Sequence, residues 1–171
     1  MLKGLTGNLS GWVLKVDEAA FGPDHPKTAI RLNNLGSVLR ERGDLVGARA
    51  AYERALKIDE AAFGLNHPSV AIRVNNLGSV LYVLNDLEGA KAASERALKI
   101  EESAFGSNYP KVARSLNNLG SVLQDQGDLA GARAAYDRAL KIFKKFLPEG
   151  HPNIGIVQGN LDRLSKDGSE E

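Results

Sequence analysis

The 171-residue chain contains no cysteine, which excludes disulfides, thiolate zinc sites and cysteine nucleophiles. Aromatic residues make up only 6% of it, which is little for one compact core and suits thin layers packed through alanine and leucine. The net charge of +1 lacks the basic excess of proteins that bind nucleic acid. No apolar run has membrane-spanning length, and the glycine-interrupted segment 1–11 does not resemble a signal peptide. We therefore expect a cytoplasmic protein that binds neither nucleic acid nor membrane.

The chain is built on a period of 42 residues. Roughly two-thirds of the positions are identical between the first two full repeats, which excludes chance as the origin of the pattern. The Asn-Asn-Leu-Gly segment at Asn33 and the Ala-Leu-Lys-Ile segment at Ala55 each return twice at the same offset. A further segment returns three times: His25-Pro26, His67-Pro68, Tyr109-Pro110 and His151-Pro152.

Each repeat is predicted to form two helices. Pro26 suits the first helical position, where its missing N–H would have no partner in the helix. Apolar residues follow at helical spacing as far as Leu39, and the turn at Gly43-Asp44 ends this first helix. The second helix is predicted from about Leu45 to Ala62.

The ends of the chain stop in mid-repeat. Trp12 stands where the full repeats carry arginine, and it would either cover an open N-terminal face or anchor a partner. Terminal repeats need a polar outer face, so imperfect caps would let copies stack on each other. The predicted divisions are a degenerate half repeat in 1–22, full repeats in 23–66, 67–108 and 109–150, a capping helix in 151–166 and a disordered tail in 167–171.

The repeat resembles the tetratricopeptide repeat. The matching residues of the first full repeat are Leu32, Leu35-Gly36, Leu39, Ala48, Tyr52 and Ala55. The third repeats the pattern, whereas the second carries Ser94 in place of the aromatic residue. A period of 42 rather than 34 residues, with the Asn-Asn-Leu segment, resembles the kinesin light chain subtype. This resemblance implies an all-α fold, a right-handed α-solenoid of stacked antiparallel helix pairs.

Glycine returns inside each first helix, at Gly36, Gly78 and Gly120. Glycine costs about 1 kcal/mol relative to alanine within a helix. Its recurrence therefore predicts a close backbone approach, for which we expect Ala48 and Ala55 and their equivalents as the neighbours.

The resemblance also implies where a ligand would lie, because the first helices of such a stack line its concave surface. On each first helix one asparagine lies opposite the core, and an amide can pair with the main chain of an extended peptide. In the resembling family, asparagines on this face contact peptide backbone. The candidate peptide-binding residues are Asn34, Asn76, Asn118, Asn160, Ile30, Ile72, Ser37, Ser79, Ser121, Tyr82, Val83 and Arg114.

Alternatives remain open at this stage. The asparagines of this series either contact a bound peptide or are a recurring sequence feature of the subtype without such a role. Asn33, Asn75 and Asn117 are expected to bond neighbouring helices. The histidines of the His-Pro pairs lie on separate repeats and are interpreted as helix-start residues rather than metal ligands. No catalytic motif occurs, so we expect no enzyme activity, no cofactor and no metal. The predicted partner is a protein or peptide segment, and the alternative is self-assembly through the open half-repeat ends.

Overall fold

A computed structural model describes the backbone of residues 3–167 and the side chains of residues 11–165. Over this range the chain forms eight α-helices and no strand, which confirms the all-α prediction. The helices are α1 (Lys3–Phe21), α2 (Pro26–Glu41), α3 (Leu45–Phe63), α4 (Pro68–Val83), α5 (Leu87–Phe105), α6 (Pro110–Asp125), α7 (Leu129–Phe146) and α8 (Pro152–Asp167).

The helices fall into two compact units. Unit 1 spans Met1–Asn85 and contains α1 to α4, and unit 2 spans Asp86–Glu171 and contains α5 to α8. Helix α1 begins at Lys3, so the glycines of the segment 1–11 do not prevent a helix there. Helix α8 includes the first residue of the predicted tail, and residues 168–171 lie outside the described range.

The His-Pro pairs start the first helices. The Nδ1 atoms of His25, His67 and His151 each accept a backbone N–H two residues later, at 3.2 Å. The side chain thus satisfies one of the backbone donors that a helix start leaves without a partner. This confirms the helix-start interpretation of the histidines. Among the described residues, no three His, Cys, Asp or Glu side chains are grouped so that they could hold a metal ion.

An aspartate starts the second helix of each full repeat. Asp44 accepts the backbone N–H of Gly47 at 2.9 Å, and Asp128 accepts that of Gly131 at the same distance. The residue before Asp44 is Gly43, whose φ of +84° is a conformation that glycine adopts without steric cost. Within each unit, a turn of three residues separates α2 from α3 and α6 from α7, and the two helices of each pair pack on each other.

The glycine of the first helix packs against an aromatic ring, which corrects the expectation that it meets alanines. A Cβ atom on Gly36 would lie 2.7 Å from Cε1 of Tyr52, a side chain that is only 1% exposed. Gly120 has the same relation to Tyr136 in unit 2. The flat ring fills the space that glycine leaves, so the missing side chain sets the close distance between the two helices.

A side-chain pair fourteen residues apart joins each second helix to the following first helix. In unit 1 the pairs are ionic: Arg31 Nε lies 2.5 Å from Asp17, and Arg73 Nε lies 2.8 Å from Asp59. In unit 2 the Ser115 hydroxyl donates to Glu101 at 2.6 Å.

The chemistry of this link therefore changes along the chain from an ion pair to a carboxyl–hydroxyl pair. Burial raises the pKa of Glu101, and the Ser115 hydrogen bond and the charges of Arg114 and Lys111 only partly offset that effect. The last pair with this spacing lies between α7 and α8 and is apolar, since it consists of the buried residues Phe143 and Val157.

Candidate binding face

Amide pairs join the first helices within each unit. Asn76 Nδ2 of α4 donates to Asn33 Oδ1 of α2 at 2.7 Å. In unit 2, Asn160 Nδ2 of α8 donates to Asn117 Oδ1 of α6 at 2.9 Å. These bonds confirm that Asn33 and Asn117 contact neighbouring helices. The surface of the first helices around each pair is called the first-helix face below, and it carries the residues that the sequence singled out.

The four candidate asparagines do not share one environment, although the sequence predicted one role for all of them. Asn34 is exposed and Asn118 is half-buried, and within the described residues neither amide makes a hydrogen bond. Asn76 and Asn160 use their N–H groups in the amide pairs, and Asn160 is buried and also accepts from Arg163. Of these four residues, only Asn34 and Asn118 therefore have amides without a hydrogen bond to another described residue.

The candidate serines lie beneath this face rather than on it. Ser37 Oγ donates to the Asn33 carbonyl oxygen at 3.2 Å and lies 2.9 Å from the Tyr52 hydroxyl. Ser121 has the same two relations in unit 2, and Ser79 donates to a backbone carbonyl one turn earlier. A serine bonded in this way inside a helix offers little to a ligand, because its donor is already used.

The remaining candidates differ in exposure. Ile30, Val83 and Arg114 are exposed, whereas Ile72 and Tyr82 are half-buried. A solvent-exposed isoleucine on an otherwise polar surface can contribute apolar contact area to a partner.

Unit 2 has a hollow on its first-helix face, with a volume of about 160 Å³. Its apolar lining is Phe143, Ile156 and Val157, which come from α7 and α8. Its polar lining is Arg114 and Asn117 of α6 and Asn153 of α8. The hollow thus combines a small apolar floor with one cation and two amide side chains.

Unit 1 has a hollow between α1 and α2, lined by Asp17, Phe21, Lys27, Ile30 and Arg31. The Lys27 ammonium lies 3.9 Å from the centre of the Phe21 ring, and Arg31 is paired with Asp17. This hollow is more strongly charged than that of unit 2, and its single carboxylate, Asp17, pairs with one of its two cations.

Sequence reasoning missed Ile156 and Asn153, which line the unit 2 hollow. The 42-residue period could have predicted Ile156. Arg114 stands two periods after Ile30, and Ile156 stands three periods after Ile30. The sequence of the last half repeat differs strongly from that of the full repeats, and Asn160 is the one residue of it that the pattern predicted as a candidate.

Comparison with known families decides the relationship. The profile of the tetratricopeptide repeat family matches residues 13–61 and 68–145. The chain belongs to the tetratricopeptide repeat family. This confirms the resemblance seen in the Leu-Gly, Ala and Tyr positions of the repeat. Comparison with curated proteins gives no match.

Solved structures similar to this tetratricopeptide repeat chain support the kinesin light chain-like subtype. BtubC (BKLC) from P. vanneervenii is 26% identical with a TM-score of 0.76, over 84% of this chain and 58% of that one. The chain thus spans less than two thirds of BtubC. The kinesin light chain-like protein of Podosopora anserina, with nearly identical TPR-like repeats, is 18% identical with a TM-score of 0.80, over 99% of this chain and 80% of that one.

A third structure is a tetratricopeptide repeat domain with a peptide. The first such domain of Spaghetti (RPAP3), solved bound to the HSP90 peptide SRMEEVD, is 17% identical with a TM-score of 0.63, over 84% of this chain and 94% of that one. At this identity the similarity concerns the fold.

Within residues 3–167, no helix has both the length and the hydropathy needed to cross a bilayer.

Proposed function

We propose that this chain is a protein-interaction module, that the first-helix face of each unit binds an extended segment of another polypeptide, and that the chain has no catalytic role. The observation that carries the proposal is the unit 2 hollow, where an apolar floor lies beside Arg114 and the Asn117 and Asn153 amides. Membership in the tetratricopeptide repeat family supports it, since a structural neighbour holds a peptide.

The ligand amides are proposed to be Asn34 and Asn118 rather than the whole series. Each has a donor pair and an acceptor that no described residue uses. An amide can bond to the main chain of any extended segment, so these two contribute affinity and little specificity. Specificity would come from Ile30 in unit 1 and from Arg114 and the apolar floor in unit 2.

A peptide-library screen tests the proposal. Phage-displayed random peptides selected on the chain should include binders. Replacing Asn34 and Asn118 together by alanine should weaken their affinity about two- to tenfold, because the face of each unit loses one hydrogen bond, which costs about 0.5–1.5 kcal/mol. A matched control replaces Asn66 and Asn108, which are exposed loop asparagines one period apart.

The two other asparagines provide a contrasting pair. Replacing Asn76 and Asn160 by alanine should lower the free energy of unfolding, because their amide pairs join adjacent helices. Equal peptide affinity in the Asn34 and Asn118 double variant, the control variant and the wild type would refute the assigned role of the amides. A screen without any binder would refute the proposed function itself.

A further inference from the structure

Another hollow of unit 2 is lined mainly by cationic side chains. It has a volume of about 310 Å³ and lies between α7 and the loop that joins α5 to α6. Its lining is Asn108, Arg138, Lys141, Ile142 and Lys145, and it shares none of these with the unit 2 hollow on the first-helix face. Of these described residues, three carry a positive charge and none a negative one. This site is called the α7 hollow below.

The three cations lie on one face of α7. Arg138, Lys141 and Lys145 are spaced at i, i+3 and i+7, which brings their side chains to the same side of a helix. Ile142, which is only 2% exposed, forms the apolar floor beneath them. Neither lysine has an ion pair with a described residue, and Lys145 makes only a 5.5 Å contact with the Phe146 ring. Like charges four residues apart destabilise a helix, so the grouping does not serve the fold.

Arg138 is held in a fixed position at the edge of the α7 hollow. Its Nη2 atom donates to the Glu102 carboxylate of α5 and to the Ser107 carbonyl oxygen of the loop, the latter at 2.9 Å. Its Nε and Nη1 atoms make no hydrogen bond with a described residue. A guanidinium carries five N–H donors, so most of them remain for a ligand.

The repeat provides a comparison for this site in unit 1. The same five positions two periods earlier are Asp24, Arg54, Lys57, Ile58 and Ala61. Arg54 makes the same two contacts as Arg138, with Glu18 at 2.7 Å and with the Pro23 carbonyl oxygen at 3.1 Å. The two sites therefore share their geometry around the arginine.

The two sites differ in charge. In unit 1, the carboxylates of Glu18 and Asp24 stand against two cations, so the charges balance. In unit 2, Asn108 replaces the aspartate and Lys145 replaces an alanine. Three cations then stand against the single carboxylate of Glu102, which leaves an excess of two positive charges in the α7 hollow.

The end of helix α7 does not itself require these lysines. Basic side chains are favourable near a helix C-terminus, because the macrodipole places partial negative charge there. However, α3 and α5 end at the equivalent position without a basic residue in their last turn. Lys141 also lies more than one turn before Phe146, the last residue of α7.

We infer that the α7 hollow is a binding site for a dianionic phosphate group. A phosphate monoester carries a charge of about −1.5 to −2 at neutral pH, which matches the excess of two positive charges. A single carboxylate would leave one of these charges uncompensated. The planar guanidinium of Arg138 can bond two phosphate oxygens, and the ammonium groups of Lys141 and Lys145 bind phosphate as point charges. The Asn108 amide offers a further N–H donor from the loop.

An NMR titration of the isotope-labelled full chain tests this inference. Sodium phosphate, slightly above neutral pH, should shift the amide signals of Asn108 and of residues 138–145 in a saturable way. The site is exposed to solvent, so we expect a Kd of about millimolar. Sodium chloride and sodium acetate at equal ionic strength should not produce these shifts.

A pair of double variants makes the test specific. Lys141→Ala with Lys145→Ala should weaken phosphate binding roughly tenfold, because each exposed ion pair contributes up to about fivefold. The matched control is Lys57→Ala with Lys144→Ala, which removes the same charge from exposed lysines outside the hollow and should bind like the wild type. Urea denaturation should show that both double variants are folded.

Two further titrations identify the carrier of the phosphate. A glycine-flanked phosphoserine peptide presents the group on a polypeptide, and the same peptide with serine is its control. Tighter binding of the phosphopeptide than of free phosphate would support a phosphorylated polypeptide as the ligand. Equal binding would support a free phosphate or a small phosphate ester.

Three results would overturn the inference. One is the absence of a saturable shift with phosphate, and another is equal phosphate binding by the two double variants. The third is acetate binding as tight as phosphate binding, which would make the hollow a carboxylate site. Peptide-library binding at the first-helix face is independent of all three results, because the α7 hollow shares no lining residue with the unit 2 hollow.

Discussion

Replacing Gly36 by alanine perturbs the closest helix contact in unit 1. The added Cβ would lie 2.7 Å from Cε1 and 2.9 Å from Cδ1 and Cζ of Tyr52, far inside the roughly 3.5–4.0 Å at which carbon atoms attract each other. The ring is buried and cannot yield easily. Overpacking of this kind costs about 1–3 kcal/mol, whereas alanine regains about 1 kcal/mol of helix propensity. We expect the free energy of unfolding to fall by about 1 kcal/mol.

The measurement is urea denaturation followed by circular dichroism. The matched control is Gly159→Ala on α8, where no atom lies within 4 Å of an added Cβ; it should stabilise the chain by up to about 1 kcal/mol. In a Tyr52→Leu background, Gly36→Ala should lose its cost, because a smaller side chain leaves room for the methyl group. If Gly36→Ala stabilises the wild type as much as the control does, the ring does not set the helix spacing.

Two further predictions concern the links between repeats. Arg73→Met should lower the free energy of unfolding by about 3–5 kcal/mol, because it leaves Asp59, which is 1% exposed, without its cation. The Arg73→Met, Asp59→Leu double variant should recover most of that loss in urea denaturation, and no recovery would contradict this cause. Glu101→Gln tests the buried carboxyl, whose raised pKa means that the folded state favours the protonated form. The protonated Glu101 side chain stabilises the folded state fully below the ordinary pKa of 4.5, and this stabilisation is lost as the pH rises through the raised pKa. The Glu101→Gln variant should therefore be more stable than the wild type near neutral pH, with a flatter pH profile of thermal unfolding. Identical profiles would show that the carboxyl does not titrate in this way.

Much of the fold could be predicted because the residues that begin and end helices recur at the same positions in each repeat. Pro26 and Gly43 limit the backbone at helix ends wherever they recur, and apolar spacing specifies which side is buried. The neighbour of Gly36 was predicted incorrectly because a glycine reveals that something approaches closely but not what does so. The candidate face was predicted only in part. Asn34 and Asn76 occupy equivalent positions in sequence, yet only Asn76 has a preceding first helix with an amide in reach.

By itself, the sequence determined the period, the helix pairs of the repeat, the turns within it and the family, because these depend on short-range geometry and on patterns that recur along the chain. The tertiary structure alone decided which amides are available to a ligand and which join neighbouring helices, which serines are already bonded, and that Trp12 is exposed. Those properties depend on distances between residues far apart in the chain. Identical sequence segments acquire different surroundings when one lies inside the stack of helices and another lies at its end.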